Sequence, residues 1–83
     1  MAQKKPIGKV THYYDKINVA ILKLSSPLKT GEEVEFKGTT TDFKQSIDSM
    51  EVDHEKVKKA KKGEVIGVKV DEKVREHDLV YRT

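Results

Sequence analysis

The strongest constraint on this chain is the spacing of its apolar residues. They recur at every second position in short runs, and glycine, proline or charged residues end each run. A period of two sends successive side chains to opposite faces of an extended strand, whereas a helix needs a period near 3.6. Such runs are read at Ile7 to Tyr14, Ile17 to Leu24, Val34 to Phe36, Phe43 to Ile47, Met50 to Val52, Val65 to Val70 and Leu79 to Tyr81. Short strands with a turn every eight to twelve residues or so point to an all-β protein. The expected architecture is a small closed antiparallel β-barrel of six to seven strands, because closure removes the exposed edges that invite aggregation. Residues 1–6, which hold Lys4, Lys5 and Pro6 without periodicity, read as a flexible N-terminal tail, and residues 7–83 as one β-barrel domain.

Within this frame the run at 17–24 is unusual. Ile17, Val19 and Ile21 share one face while Ala20, Leu22 and Leu24 share the other, so a strand covered on both sides is expected at the centre of the core. Asp15-Lys16 supplies the preceding turn, and Pro27 ends the run because it cannot donate to a ladder. Phe43, Gln45 and Ile47 have odd parity and Met50 and Val52 even parity, which predicts a bulge near Asp48-Ser49. Asp53 to Lys62 is the one stretch where a helix is arguable, with Val57 and Ala60 three apart and Gly63 as a stop.

A chain of 83 residues makes one core. Hydrophobic residues are 35% and charged residues 37%, a lean mixture, but clustered periodicity and 17 basic against 14 acidic side chains argue against disorder. There are no cysteines, which fits a reducing compartment. The longest apolar run, Val19 to Leu22, is far too short to span a bilayer, and a cytoplasmic location is expected.

The order of several motifs resembles the second, β-barrel domain of translational GTPases such as elongation factor Tu and initiation factor two. The match is carried by Gly8-x-Val10, by Leu28-Lys29-Thr30-Gly31-Glu32-Glu33-Val34-Glu35-Phe36-Lys37-Gly38, and by Ile47-x-Ser49-Met50-Glu51. Ala60-Lys61-Lys62-Gly63-Glu64-Val65-Ile66-Gly67-Val68 and His77-Asp78-Leu79-Val80-Tyr81 continue it, with His77 where that family usually has glycine. The resemblance implies turns at Gly31, Gly38, Gly63 and Gly67. Gly31 and Gly63 would take positive φ, and Gly67 would let a neighbouring strand or side chain pass close to the backbone. It also implies a translation-factor-like role in which the barrel holds tRNA or touches ribosomal RNA. No phosphate loop is present, so nucleotide hydrolysis is not expected. Similar barrels are appended to some collagenase-like peptidases, so fold alone does not decide the biology.

The residues nominate one anion-binding stretch. Lys56, Lys58, Lys59, Lys61 and Lys62 put five ammonium groups into seven residues, enough to neutralise several backbone phosphates. Of the adjacent Tyr13 and Tyr14, one ring is expected to turn inward and the other to be free to stack on a base; Tyr13 is taken with the lysines as the RNA-binding set. His12, His54 and His77 are far apart and lack zinc-ligand spacing, so no metal and no other cofactor is expected. Asp53-His54-Glu55 cannot work one substrate atom from a strand, and Ser25, Ser26, Ser46 and Ser49 lack a nucleophile elbow. The expectation is a non-enzymatic module engaging RNA or a ribonucleoprotein. The alternative is a protein-interaction barrel that is accessory to a larger translation factor or peptidase, again without a membrane partner.

Overall fold

The computed structural model describes residues 5–53 and 55–83. Among the described residues ten strands follow one another: β1 (Gly8–Tyr14), β2 (Val19–Leu24), β3 (Leu28–Lys29), β4 (Glu33–Lys37), β5 (Asp42–Ser46), β6 (Met50–Val52), β7 (Glu55–Val57), β8 (Lys59–Ala60), β9 (Val65–Lys69) and β10 (Leu79–Arg82). Eight form one sheet in the order β5-β4-β10-β1-β2-β9-β6-β7, and β3 pairs with β8 as a separate ribbon. Every pairing is antiparallel. The segment expected to favour a helix, Asp53 to Lys62, instead carries β7 and β8, and His54 within it lies outside the described residues.

The all-β expectation holds, but the closed barrel does not. Among the described residues no pair joins β5 to β7, so the sheet is open. It is nevertheless strongly curled, as chain connectivity requires. β5 and β6 stand six places apart in the sheet, about 29 Å if flat. Yet only residues 47–49 connect them, and four Cα steps reach about 14 Å at most. The inward face does switch parity between Ile47 and Met50, but the cause is this crossing from one edge of the sheet to the other rather than a bulge. The backbone at the corner spends its hydrogen bonds on the turn before β4: Gly31 N donates to Ile47 O at 2.8 Å and Ile47 N to Glu32 O at 2.8 Å. Gln45 also bridges toward the far side, its Nε2 donating to Lys69 O at 3.0 Å and its Oε1 accepting from Asp71 N at 2.8 Å. A side-chain amide and a two-stranded ribbon therefore stand where barrel closure would need a ladder.

The core lies on the concave side. Val10, Leu22, Leu28, Val34, Phe36, Ile47, Met50, Ile66, Val68, Val74 and Val80 are its largest fully buried members, and Phe36 stacks on its cross-strand partner Phe43 with ring centroids 5.0 Å apart. Val74 anchors the charged link between β9 and β10 by inserting into this cluster. The bulge that does occur lies in β1, between Val10 and His12, where the pairing with β2 shifts by one residue.

One turn recurs three times. In Lys29-Thr30-Gly31-Glu32, Lys61-Lys62-Gly63-Glu64 and Arg75-Glu76-His77-Asp78, the first backbone N–H donates to the fourth residue's carboxylate, at 2.9, 2.6 and 2.9 Å. The fourth N–H returns to the first carbonyl, and the third residue has φ of 91°, 89° and 76°. Position three of such a turn suits glycine, and His77 occupies it in the third copy. Residues 5 and 6 are all that is described of the expected tail; the Pro6 carbonyl accepts a hydrogen bond from Ser25 Oγ at 2.9 Å.

Candidate functional site

The five lysines are exposed but do not form one rail. Lys56 lies on β7 opposite Glu51, on the outer face of the main sheet. Lys58 leads into the ribbon, where its carbonyl accepts from Thr30 N at 2.8 Å. Lys59 sits opposite Lys29 on the ribbon, and Lys61 and Lys62 occupy the second copy of the recurring turn. Lys59 and Lys61, with Pro27, Leu28, Glu32 and Arg82, line a concavity of about 500 Å³. Arg82 is already engaged there: its Nε is 3.3 Å from Glu32 Oε1, and its guanidinium donates to the Pro27 carbonyl. Carboxylates at Glu32, Glu51 and Glu64 thus alternate with the ammonium groups, which dilutes the field that a polyanion would meet.

Tyr13 does not act as the free ring. The β1 bulge reverses parity beyond Val10, so Tyr13 packs against the core and its hydroxyl donates to Asn18 Oδ1 at 3.3 Å. Tyr14 is the outward ring, meeting His12 edge to face with centroids 4.4 Å apart. His12 Nδ1 lies 3.2 Å from Glu76 Oε2.

The four glycines expected at turns divide into three kinds, and Gly67 stands inside β9 rather than at a turn. Gly31 and Gly63 have the positive φ expected of them. Gly38 is required for space, since a Cβ there would run into the buried Asp78 carboxylate. Gly67 needs neither: its φ is unremarkable, and a Cβ would stand in ordinary contact, 3.6 Å from Ile21 Cδ1 and Val19 Cγ1. Close passage of a neighbour within this chain is therefore not what Gly67 serves.

A second surface lies around that glycine. β2 is covered on one face only. Ala20, Leu22 and Leu24 are buried, whereas Val19 and Ile21 are half-buried and Ile17 is exposed. With Tyr14, Val65, Glu51 and Asp53 these residues line a concavity of about 340 Å³ whose floor is Gly67. Among the described residues no helix is long and apolar enough to cross a membrane.

Comparison with known proteins corrects the expected relationship. No protein-family model matches the sequence. The chain is 41% identical over 80 residues to an uncharacterized protease of Methanocaldococcus jannaschii, covering 95% of this chain and 20% of that one. It is 35% identical over 82 residues to a collagenase of Porphyromonas gingivalis, covering 96% of this chain and 23% of that one. The chain thus spans about a fifth of the length of the curated relatives it matches. Its fold is that of the C-terminal domain of a candidate U32 peptidase from Geobacillus thermoleovorans, with TM-scores of 0.90 and 0.89 over 95% and 100% of this chain, at 20% and 18% identity. In those two comparisons the chain covers 100% and 98% of the solved domain. Neither the translation-factor relationship nor the RNA-engaging module inferred from it survives this. Three of the motifs that suggested it form the recurring turn of this sheet, and turn chemistry is not evidence of descent.

Proposed function

We propose that this chain is a non-catalytic accessory domain that docks on the body of a peptidase-type protein. The observation that carries the reading is the match of almost the whole chain to about a fifth of two relatives named protease and collagenase. A module matched by one segment of longer chains named protease and collagenase, with a core of its own, is the expected form of a binding or positioning domain. Several polar side chains are spent on structure, in keeping with the same reading. Ser25 Oγ donates to the Pro6 carbonyl, Asp78 holds a turn, and Gln45 ties β5 to the end of β9. The partner is a protein surface, and the cysteine-free chain suits the reducing cytoplasm.

The test uses the Porphyromonas gingivalis collagenase with its matching 82 residues removed. Hydrolysis of a collagen peptide is measured with and without the present chain, and with the chain alone. Stimulation of the shortened collagenase, with no turnover by the chain alone, is the expected result. Turnover by the chain alone would overturn the non-catalytic reading, and the absence of both binding and stimulation would overturn the accessory role.

A further inference from the structure

We propose that the chain docks through the outer face of β1, β2 and β9, with the hollow over Gly67 receiving an apolar side chain from the peptidase body; this rests on the accessory-domain reading above. Three observations converge on that face. Among the described residues the large hydrophobic side chains left most exposed are Tyr14, Ile17 and Val65, at 48%, 59% and 50%, and all three line this one concavity. Scattered singly such residues mean little, but gathered together they mark an interaction surface. The second observation is β2 itself. Apart from Lys23 at its end, its sequence is apolar on both faces, the pattern of a strand covered on both sides, yet the fold covers only the face bearing Ala20, Leu22 and Leu24.

Gly67 is the third. A glycine inside a strand weakens it relative to alanine. Here neither backbone conformation nor a neighbouring atom of the chain demands it. What the missing side chain creates is depth: a hollow floored by Gly67, walled by Val19, Ile21 and Val65, and rimmed on one side by Glu51 and Asp53. Glycine in a strand commonly marks the place where a ligand or another backbone comes close.

The occupant follows from the relatives. In them the matching segment is part of a chain about five times longer, so any contact between this domain and the remainder is intramolecular. Tethering raises the effective concentration to about millimolar, and interfaces between domains of one chain are correspondingly small, about 600–1,500 Å². A single hollow with a few apolar walls and an acidic rim suits such a contact. The complementary surface is an apolar residue on a loop or strand, flanked by a basic side chain that faces Glu51 and Asp53.

Isothermal titration of the chain into the Methanocaldococcus jannaschii relative, freed of its matching 80 residues, tests this. Gly67→Val fills the hollow, Ile17→Lys charges its exposed wall, and Lys59→Gln with Lys61→Gln on the ribbon serves as control; thermal melts establish that each variant is folded. Expected is binding by the unaltered chain, a loss of at least tenfold for both face variants, and no change for the control. Binding that the face variants leave intact would overturn the docking face while leaving the accessory role standing. No binding by the unaltered chain would overturn both. Self-association that disappears in Gly67→Val would assign the face to a second copy of the chain and overturn the proposal. Should the shortened relative not fold, the chain is exchanged into the full-length protein. Ile17→Cys should then react with a thiol reagent at least tenfold more slowly than in the isolated chain, and an equal rate would overturn the proposal.

Discussion

The lysine stretch and the outer face of β2 are both exposed, and they differ in how a fold treats them. The lysines are conspicuous as a run, yet folding divides them between β7, the ribbon and a turn, with Glu51, Glu32 and Glu64 placed among them. The apolar residues Tyr14, Ile17, Val19, Ile21 and Val65 are inconspicuous as a run, because every second position belongs to the opposite face. Folding gathers them around Gly67. Charge density along a chain is therefore a poor guide to charge density on a surface, whereas a strand that is apolar on both faces states that two covers are needed. This fold supplies one.

The largest test of that difference compares neighbours on β2. Leu22→Ala opens a cavity in the core and should cost about 3 kcal/mol, while Ile21→Ala, on the half-buried face, should cost about 1 kcal/mol. For a domain of this size the Leu22 variant should melt roughly 12–24 °C lower. Equal losses in urea titration would mean that the outer face is already packed within the chain.

The glycines sharpen the same contrast. Gly38→Ala forces the Asp78 side chain to move and should destabilise by about 2 kcal/mol. Gly67→Ala should stabilise the isolated chain by about 0.5 kcal/mol, since alanine fits the strand better than glycine. A loss of stability at Gly67 would return that residue to an intramolecular role.

Gln45→Leu removes both hydrogen bonds between β5 and the end of β9 and should cost about 1.5 kcal/mol, read by the same titration. The smallest effect is expected at the ribbon. Lys59→Gln and Lys61→Gln, both exposed, should each change stability by less than about 0.5 kcal/mol.

Much of the fold was legible in the residues. Alternation located the main strands and the buried faces of β4 and β5, and Gly31 and Gly63 occupy the positive-φ positions of turns. Closure was not legible, because it depends on which neighbour the backbone at Ile47 meets after β5, and that neighbour is a turn 15 residues earlier, at Glu32. Nor was the β1 bulge. It exchanges the roles of Tyr13 and Tyr14, and no side chain between Val10 and His12 announces it. The third recurring turn hides behind His77, which adopts a conformation that glycine takes in the other two. A search for basic-x-x-acidic at each strand entrance would have found all three copies. Of the docking face, the two-sided pattern at 17–24 was visible, but its uncovered state is a property of the finished sheet.

Amide hydrogen exchange across the whole chain, free and mixed with the shortened Methanocaldococcus jannaschii protease, separates the two surfaces in one experiment. The account predicts slowed exchange at Tyr14 to Ile21 and at Val65 to Lys69, with Lys58 to Lys62 unchanged. Protection confined to Lys58–Lys62 would contradict it.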